Sequence, residues 1–143
     1  MTTTRRVRGR CLCGDVSYEC NASPKWSLYC HCQSCRLNTA SPATAFFGMA
    51  DGGDNWFWTG QKPKIYNRNP GVQRFFCSTC GTPIAYRADQ YPDEIHFYTA
   101  SLEDATGFEP KGHVHYAERL PWHEVADNLP RWELQVGSKK VEN

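Results

Sequence analysis

A chain of 143 residues with 40% hydrophobic and 13% aromatic side chains has the size of one ordinary domain and enough apolar content for a core, which excludes a disordered chain. Sixteen Lys+Arg against fifteen Asp+Glu leave a formal net charge of +1, without the basic excess by which proteins grip many phosphates, so no nucleic-acid partner is expected. No run reaches the ~18 apolar residues of a membrane span, and Met1-Thr2-Thr3-Thr4-Arg5-Arg6 leads into no apolar signal segment; the expected setting is cytoplasmic, with no membrane partner.

In chain order, the basic cluster Arg5, Arg6, Arg8 and Arg10 is diluted with threonine and reads as a solvated N-terminal arm, with the arm itself set at residues 1–8. Beyond it Gly and Pro punctuate the whole length. Between them lie short runs of aromatic and β-branched residues: Val16 to Cys20, Ala43 to Met49, Trp56 to Trp58, Lys64 to Tyr66, Val72 to Cys77, Ile84 to Tyr86 and Glu94 to Ala100. Such runs predict short strands of an antiparallel, mainly β domain. Asn67-Arg68-Asn69-Pro70-Gly71 predicts a hairpin connection. Helix is scarce: two turns over Cys32 to Thr39, and a short piece over Glu118 to Asn128 interrupted by Pro121. No repeat, low-complexity tract or linker divides the chain, so a single domain over 9–136 with a tail at 137–143 is expected.

The eight cysteines carry the chemistry. Cys11-Leu12-Cys13-Gly14 is a C-x-C turn, Cys30-His31-Cys32-Gln33-Ser34-Cys35 a C-x-C-x-x-C cluster, and Cys77-Ser78-Thr79-Cys80-Gly81 a C-x-x-C-G knuckle; Cys20 stands alone. Cysteines two or three apart on a tight turn present both sulfurs on one side, as tetrahedral zinc requires. A following glycine lets the backbone curl beneath them. Cys11, Cys13, Cys77 and Cys80 form two knuckles beside strands and are expected to close a structural zinc site. Cys30, Cys32 and Cys35 supply three ligands locally and are expected to hold a second, open zinc, the alternative being closure by His31 or a remote histidine. The alternatives are four disulfides, disfavoured for partners one residue apart in a reducing compartment, and a redox C-x-x-C, which lacks its usual βαβ context. Cys20 reads as a buried apolar residue.

These blocks resemble the glutathione-dependent formaldehyde-activating (Gfa-like) family, which includes centromere protein V. The likeness runs through Gly9-Arg10-Cys11-Leu12-Cys13-Gly14-Asp15-Val16-Ser17-Tyr18, Cys30-His31-Cys32-Gln33-Ser34-Cys35-Arg36, Tyr66, and Arg74-Phe75-Phe76-Cys77-Ser78-Thr79-Cys80-Gly81-Thr82-Pro83. Leu120-Pro121-Trp122 and Asp127-Asn128-Leu129-Pro130 add a weaker match, and Ser101-Leu102-Glu103-Asp104 departs from the family's usual Thr-Leu-Asp. The resemblance implies a β-sheet tent similar to a guanine-nucleotide exchange-factor fold. It implies the same division of the cysteines between two zincs, and glutathione as the small thiol. The implied activity is a carbon–sulfur lyase one, forming or cleaving S-hydroxymethylglutathione. A non-catalytic zinc adaptor or thiol carrier is the competing class.

Three thiolates on Zn²⁺ leave a formal charge of −1, which suits the metal to holding a fourth sulfur better than to ionising water. Arg36 is either a surface arginine or a binder of a substrate carboxylate. His31 alternates away from its cysteine neighbours and is expected to support the site without ligating. His113 and His115 would share one strand face.

Overall fold

The computed structural model describes residues 6–21 and 23–142; the start of the expected basic arm, including Arg5, lies outside them. Among the described residues ten strands form: β1 Val7–Arg10, β2 Ser17–Cys20, β3 Trp26–Cys30, β4 Thr44–Ala50, β5 Trp56–Trp58, β6 Lys64–Tyr66, β7 Val72–Phe76, β8 Pro83–Ala88, β9 Glu94–Tyr98 and β10 His113–Val114. One helix, α1 (Gln33–Thr39), joins β3 to β4, and single 3-10 turns cover Thr99–Ser101 and Tyr116–Glu118. The protein is therefore mainly β, as its aromatic and β-branched runs predict.

The strands make two sheets, a three-stranded one in the order β1-β2-β5 and a seven-stranded one in the order β10-β3-β4-β9-β8-β7-β6. Pairing is antiparallel except between β10 and β3. The period-2 alternation of strands splits the large sheet into two faces. Phe47, Met49, Ile95 and Phe97 point to one face and meet the small sheet in the main core with Val16, Tyr18 and Cys20. The Tyr18 ring stacks on Phe97 at 4.2 Å between centroids, and Trp56 and Trp58 approach Phe97 edge-on at 5.4 and 6.0 Å. Aromatic pairs of this kind each contribute about 0.5–1.5 kcal/mol beyond area burial. Tyr18 satisfies its buried hydroxyl on Ser101 Oγ at 2.6 Å. The opposite face carries Cys30, Phe46 and Tyr98 in a second, smaller cluster, with Trp26, Tyr86 and Val114 packed on it.

The hairpin expected at 67–71 joins β6 to β7, with Val72 N–H donating to Asn69 O. The helix expected over Glu118 to Asn128 does not form; Tyr116–Glu118 is one 3-10 turn and the rest is irregular. Pro121 removes a helical donor. The buried Arg131 guanidinium then donates to the carbonyls of Val125, Asp127 and Leu129, giving this stretch partners that a helix would have supplied internally. Strands β1, β3 and β10 are additions to the expected set. Each is short, and β10 has only two residues.

Candidate metal centres

Cys11 and Cys13 follow β1, and Cys77 and Cys80 occupy the turn between β7 and β8. Their four sulfurs lie within 4.8 Å of one another. The Cys11–Cys13 and Cys13–Cys77 separations are 3.6 and 3.7 Å. A tetrahedron with metal–sulfur bonds of ~2.3 Å has edges of about 3.8 Å, so the donor set fits a zinc-sized ion. Backbone amides turn toward the sulfurs: Val16 N–H donates to Cys11 Sγ at 3.3 Å, and Thr79 and Cys80 N–H both donate to Cys77 Sγ at 3.4 Å. Gly14 (φ 86°) and Gly81 (φ 80°) supply the left-handed residue that closes each knuckle. The Cys80 amide, followed by that of Thr79, lowers the Cys77 thiol. The Thr82 hydroxyl and backbone draw Cys80 down to about 5. Cys13 stands at about 12, because desolvation and the other three sulfurs outweigh the Asp15 amide that pulls it down. Cys13 thus resists ionising beside the other sulfurs, and a divalent cation would relieve that repulsion. One knuckle belongs to the small sheet and the other to the large one, so this cluster clamps the two sheets together.

The second cluster is local. Cys30 ends β3, Cys32 is the N-cap of α1, and Cys35 lies in its first turn. The three sulfurs also fall within 4.8 Å of one another, and among the described residues no fourth Cys, His, Asp or Glu joins them. Cys32 Sγ accepts from Cys35 N–H at 3.3 Å. The Cys30 and Cys35 thiols, with that amide, draw Cys32 down to about 2. Cys30 is driven far up by its contacts with Cys32 and Cys35. Cys35 sits at about 12, the contact with Cys30 pulling it down and those with Cys32 and burial pushing it up. One sulfur ionises easily and the other two need a cation. The donor set is again soft and suited to zinc.

His31, between two of these cysteines, is fully buried and does not join their ligand group. Its Nε2 lies 2.8 Å from His113 Nδ1, and His113 Nε2 lies 2.9 Å from Asp127 Oδ2. An ionised carboxylate only accepts, so His113 donates from Nε2 and accepts at Nδ1, and His31 donates from Nε2. Desolvation lowers both histidines, His31 to about 4, so the chain is held by neutral imidazoles. It ties the cysteine loop to β10 and the 127–131 segment. Arg36 serves the same loop: Nε donates to His31 O and Nη2 to Glu118 O, both at 3.2 Å. Arg36 is therefore not an idle surface residue. His113 and His115 do not share a strand face, because β10 ends at Val114 and His115 adopts φ 54° and pairs with Glu118. Cys20 is buried in the main core, apart from both clusters, and burial raises it to about 12.

Sequence reasoning passed over the wall beside the second cluster. Phe46, Tyr86, Tyr98 and Arg74 come from four strands, and only the cross-strand registers Phe46↔Tyr98 and Arg74↔Tyr86 bring them to one face. Asn38 Nδ2 donates to Tyr98 Oη at 2.6 Å, leaving the phenol proton available to another acceptor. Desolvation keeps Tyr98 protonated. A groove of about 500 Å³ runs from Cys11 and Thr82 past Thr39 and Thr44 to Tyr98, a volume within the range of small-molecule sites.

A mainly β protein with a four-cysteine clamp between its sheets and a three-cysteine cluster on one face belongs to a thiolate-rich class able to hold two metal ions. The chain is a member of the family described as glutathione-dependent formaldehyde-activating enzyme, whose model matches residues 6–118. No curated protein matches it at a significant level. Among solved structures, the crystal structure of a Rhodobacter sphaeroides protein, a structural-genomics target, is similar in fold. The TM-score is 0.54 at 21% identity, covering 67% of this chain and 87% of the other. No helix of the described residues is long and apolar enough to cross a membrane.

Proposed function

We propose that this protein is a zinc-dependent carbon–sulfur lyase-type enzyme acting on small thiol adducts, with the formation and cleavage of S-hydroxymethylglutathione as its reaction. The observation that carries this reading is the second cluster: three sulfurs within 4.8 Å with no fourth protein ligand among the described residues, in a chain matching the formaldehyde-activating family. Cys11, Cys13, Cys77 and Cys80 would hold a structural zinc. Cys30, Cys32 and Cys35 would hold the catalytic one, and a zinc there supplies a soft centre that keeps an incoming thiol ionised near neutral pH. A reducing, cytoplasmic setting goes with this reading, since exposed and half-buried thiolates persist there unoxidised.

In the forward direction the thiol gives up its proton, its sulfur bonds to the aldehyde carbon, and the carbonyl electron pair moves to oxygen, which takes a proton back. The reverse path breaks the carbon–sulfur bond and returns aldehyde and thiol. Tyr98, protonated and already accepting from Asn38, would donate to the oxygen that gains charge. Phe46 and Tyr86 keep that side apolar and exclude water.

The test is the rate of adduct formation from formaldehyde and glutathione, with the uncatalysed background subtracted. Zinc-loaded protein is expected to raise it at least tenfold, ~1.4 kcal/mol of barrier. Binding of glutathione without acceleration would contradict catalysis and point to a thiol carrier.

A further inference from the structure

Arg74 lies in the middle of β7, paired with Tyr86 on β8 and Tyr66 on β6. Its guanidinium carbon stands 5.0 Å over the Tyr86 ring, which fixes the plane of the group. Nη1 is buried and has no hydrogen-bond partner. Among the described residues Arg74 forms no ion pair, whereas Arg87, at the adjacent register of the same strand pair, is engaged by Asp51 at 2.8 and 3.0 Å. Glu94, on β9 beyond β8, is occupied by His96, Lys25 and Trp26. The guanidinium contacts the Tyr98 hydroxyl and its charge reaches Cys35 and Tyr86, which places it beside the second cluster with Nη1 still unpaired. A buried guanidinium nitrogen without an acceptor is unfavourable, and a fork held flat against a ring matches the two oxygens of a carboxylate.

We infer that Arg74 reads a carboxylate on the thiol substrate, making this a site for carboxylate-bearing thiols. The inference rests on the thiol-binding role proposed for the second centre. A mere counter-charge for the cysteines would need only a cation, and lysine would serve equally; recognition of a carboxylate needs the fork.

The experiment compares two probes on cobalt-loaded protein, 3-mercaptopropionate and the neutral 2-mercaptoethanol, by visible titration. The ratio of affinities in wild type is compared with that in Arg74→Gln and Arg74→Lys, which cancels the intrinsic difference between the thiols. The expected result is that Arg74→Gln weakens 3-mercaptopropionate about 10- to 100-fold, leaves 2-mercaptoethanol and the metal content unchanged, and that Arg74→Lys recovers only part of the loss. Equal weakening of both thiols, loss of metal, or full recovery by lysine would overturn the carboxylate role while leaving thiol binding intact. Failure of either thiol to alter the wild-type spectrum would instead overturn the thiol-binding role itself, and the assignment of Arg74 with it.

Discussion

Cys77→Ser is expected to abolish the stable fold. Cys77 is buried, sits at the end of β7, and its sulfur collects two backbone amides. Its partners Cys11 and Cys13 belong to the other sheet, so Cys77 and Cys80 together make the large-sheet half of the clamp. Structural zinc sites contribute roughly 10–16 kcal/mol of apparent binding free energy coupled to folding, against a total stability of about 5–15 kcal/mol for a domain. Loss of one ligand therefore removes a share comparable with the whole. The purified variant should aggregate, or melt at least ~15 °C below wild type with one metal equivalent missing. Cys20→Ala, which removes a buried sulfur outside both clusters, is the control: it leaves a small cavity, costs about 1–2 kcal/mol, and keeps both metals. A Cys77→Ser protein that melts like the control would show that the four-cysteine cluster is not a folding element.

Cys32→Ser should have the opposite profile, with the second metal and the chemistry lost but the fold retained. All three cysteines of that cluster lie within residues 30–35 and bridge no separate sheets. Cys32 also caps α1 by accepting from Cys35 N–H, and serine is among the preferred residues for that task. The substitution thus removes a soft ligand while preserving the cap, and stability should change by no more than ~1 kcal/mol beyond the lost metal. Adduct formation should fall to background. A variant that unfolds as Cys77→Ser does, or one that retains full activity, would contradict the division of labour between the clusters.

The parts of the fold that could be read in the sequence are those written in local pattern. Trp56 to Trp58 and Lys64 to Tyr66 match β5 and β6 residue for residue, and the Pro70-Gly71 turn lies where its chemistry places it. The cysteine groups were legible for the same reason, since the spacings within each knuckle are local. What joins Cys11 to Cys77 is a contact between two sheets. The sequence offers only the likeness of the knuckles as a hint of it. The 127–131 segment escaped because a buried arginine, and no local propensity, supplies its hydrogen bonds. His31 was legible as a supporting residue from the C-H-C alternation, but its partner His113 lies 82 positions away. The wall formed by Arg74, Tyr86 and Tyr98 was hidden by strand register: each residue is ordinary in its own strand, and only the order β9-β8-β7 makes them neighbours.

The central claim is that the three-cysteine centre accepts a thiol sulfur as the ligand its own chain does not supply. Cobalt substitution tests it most directly, because ligand-field and sulfur-to-metal bands report the number of bound thiolates. Wild-type protein should take up two cobalt ions per chain, and glutathione should change the bands of one of them, with no change in Cys32→Ser. A single ion per chain, or two ions whose spectrum glutathione leaves unmoved, would contradict the claim.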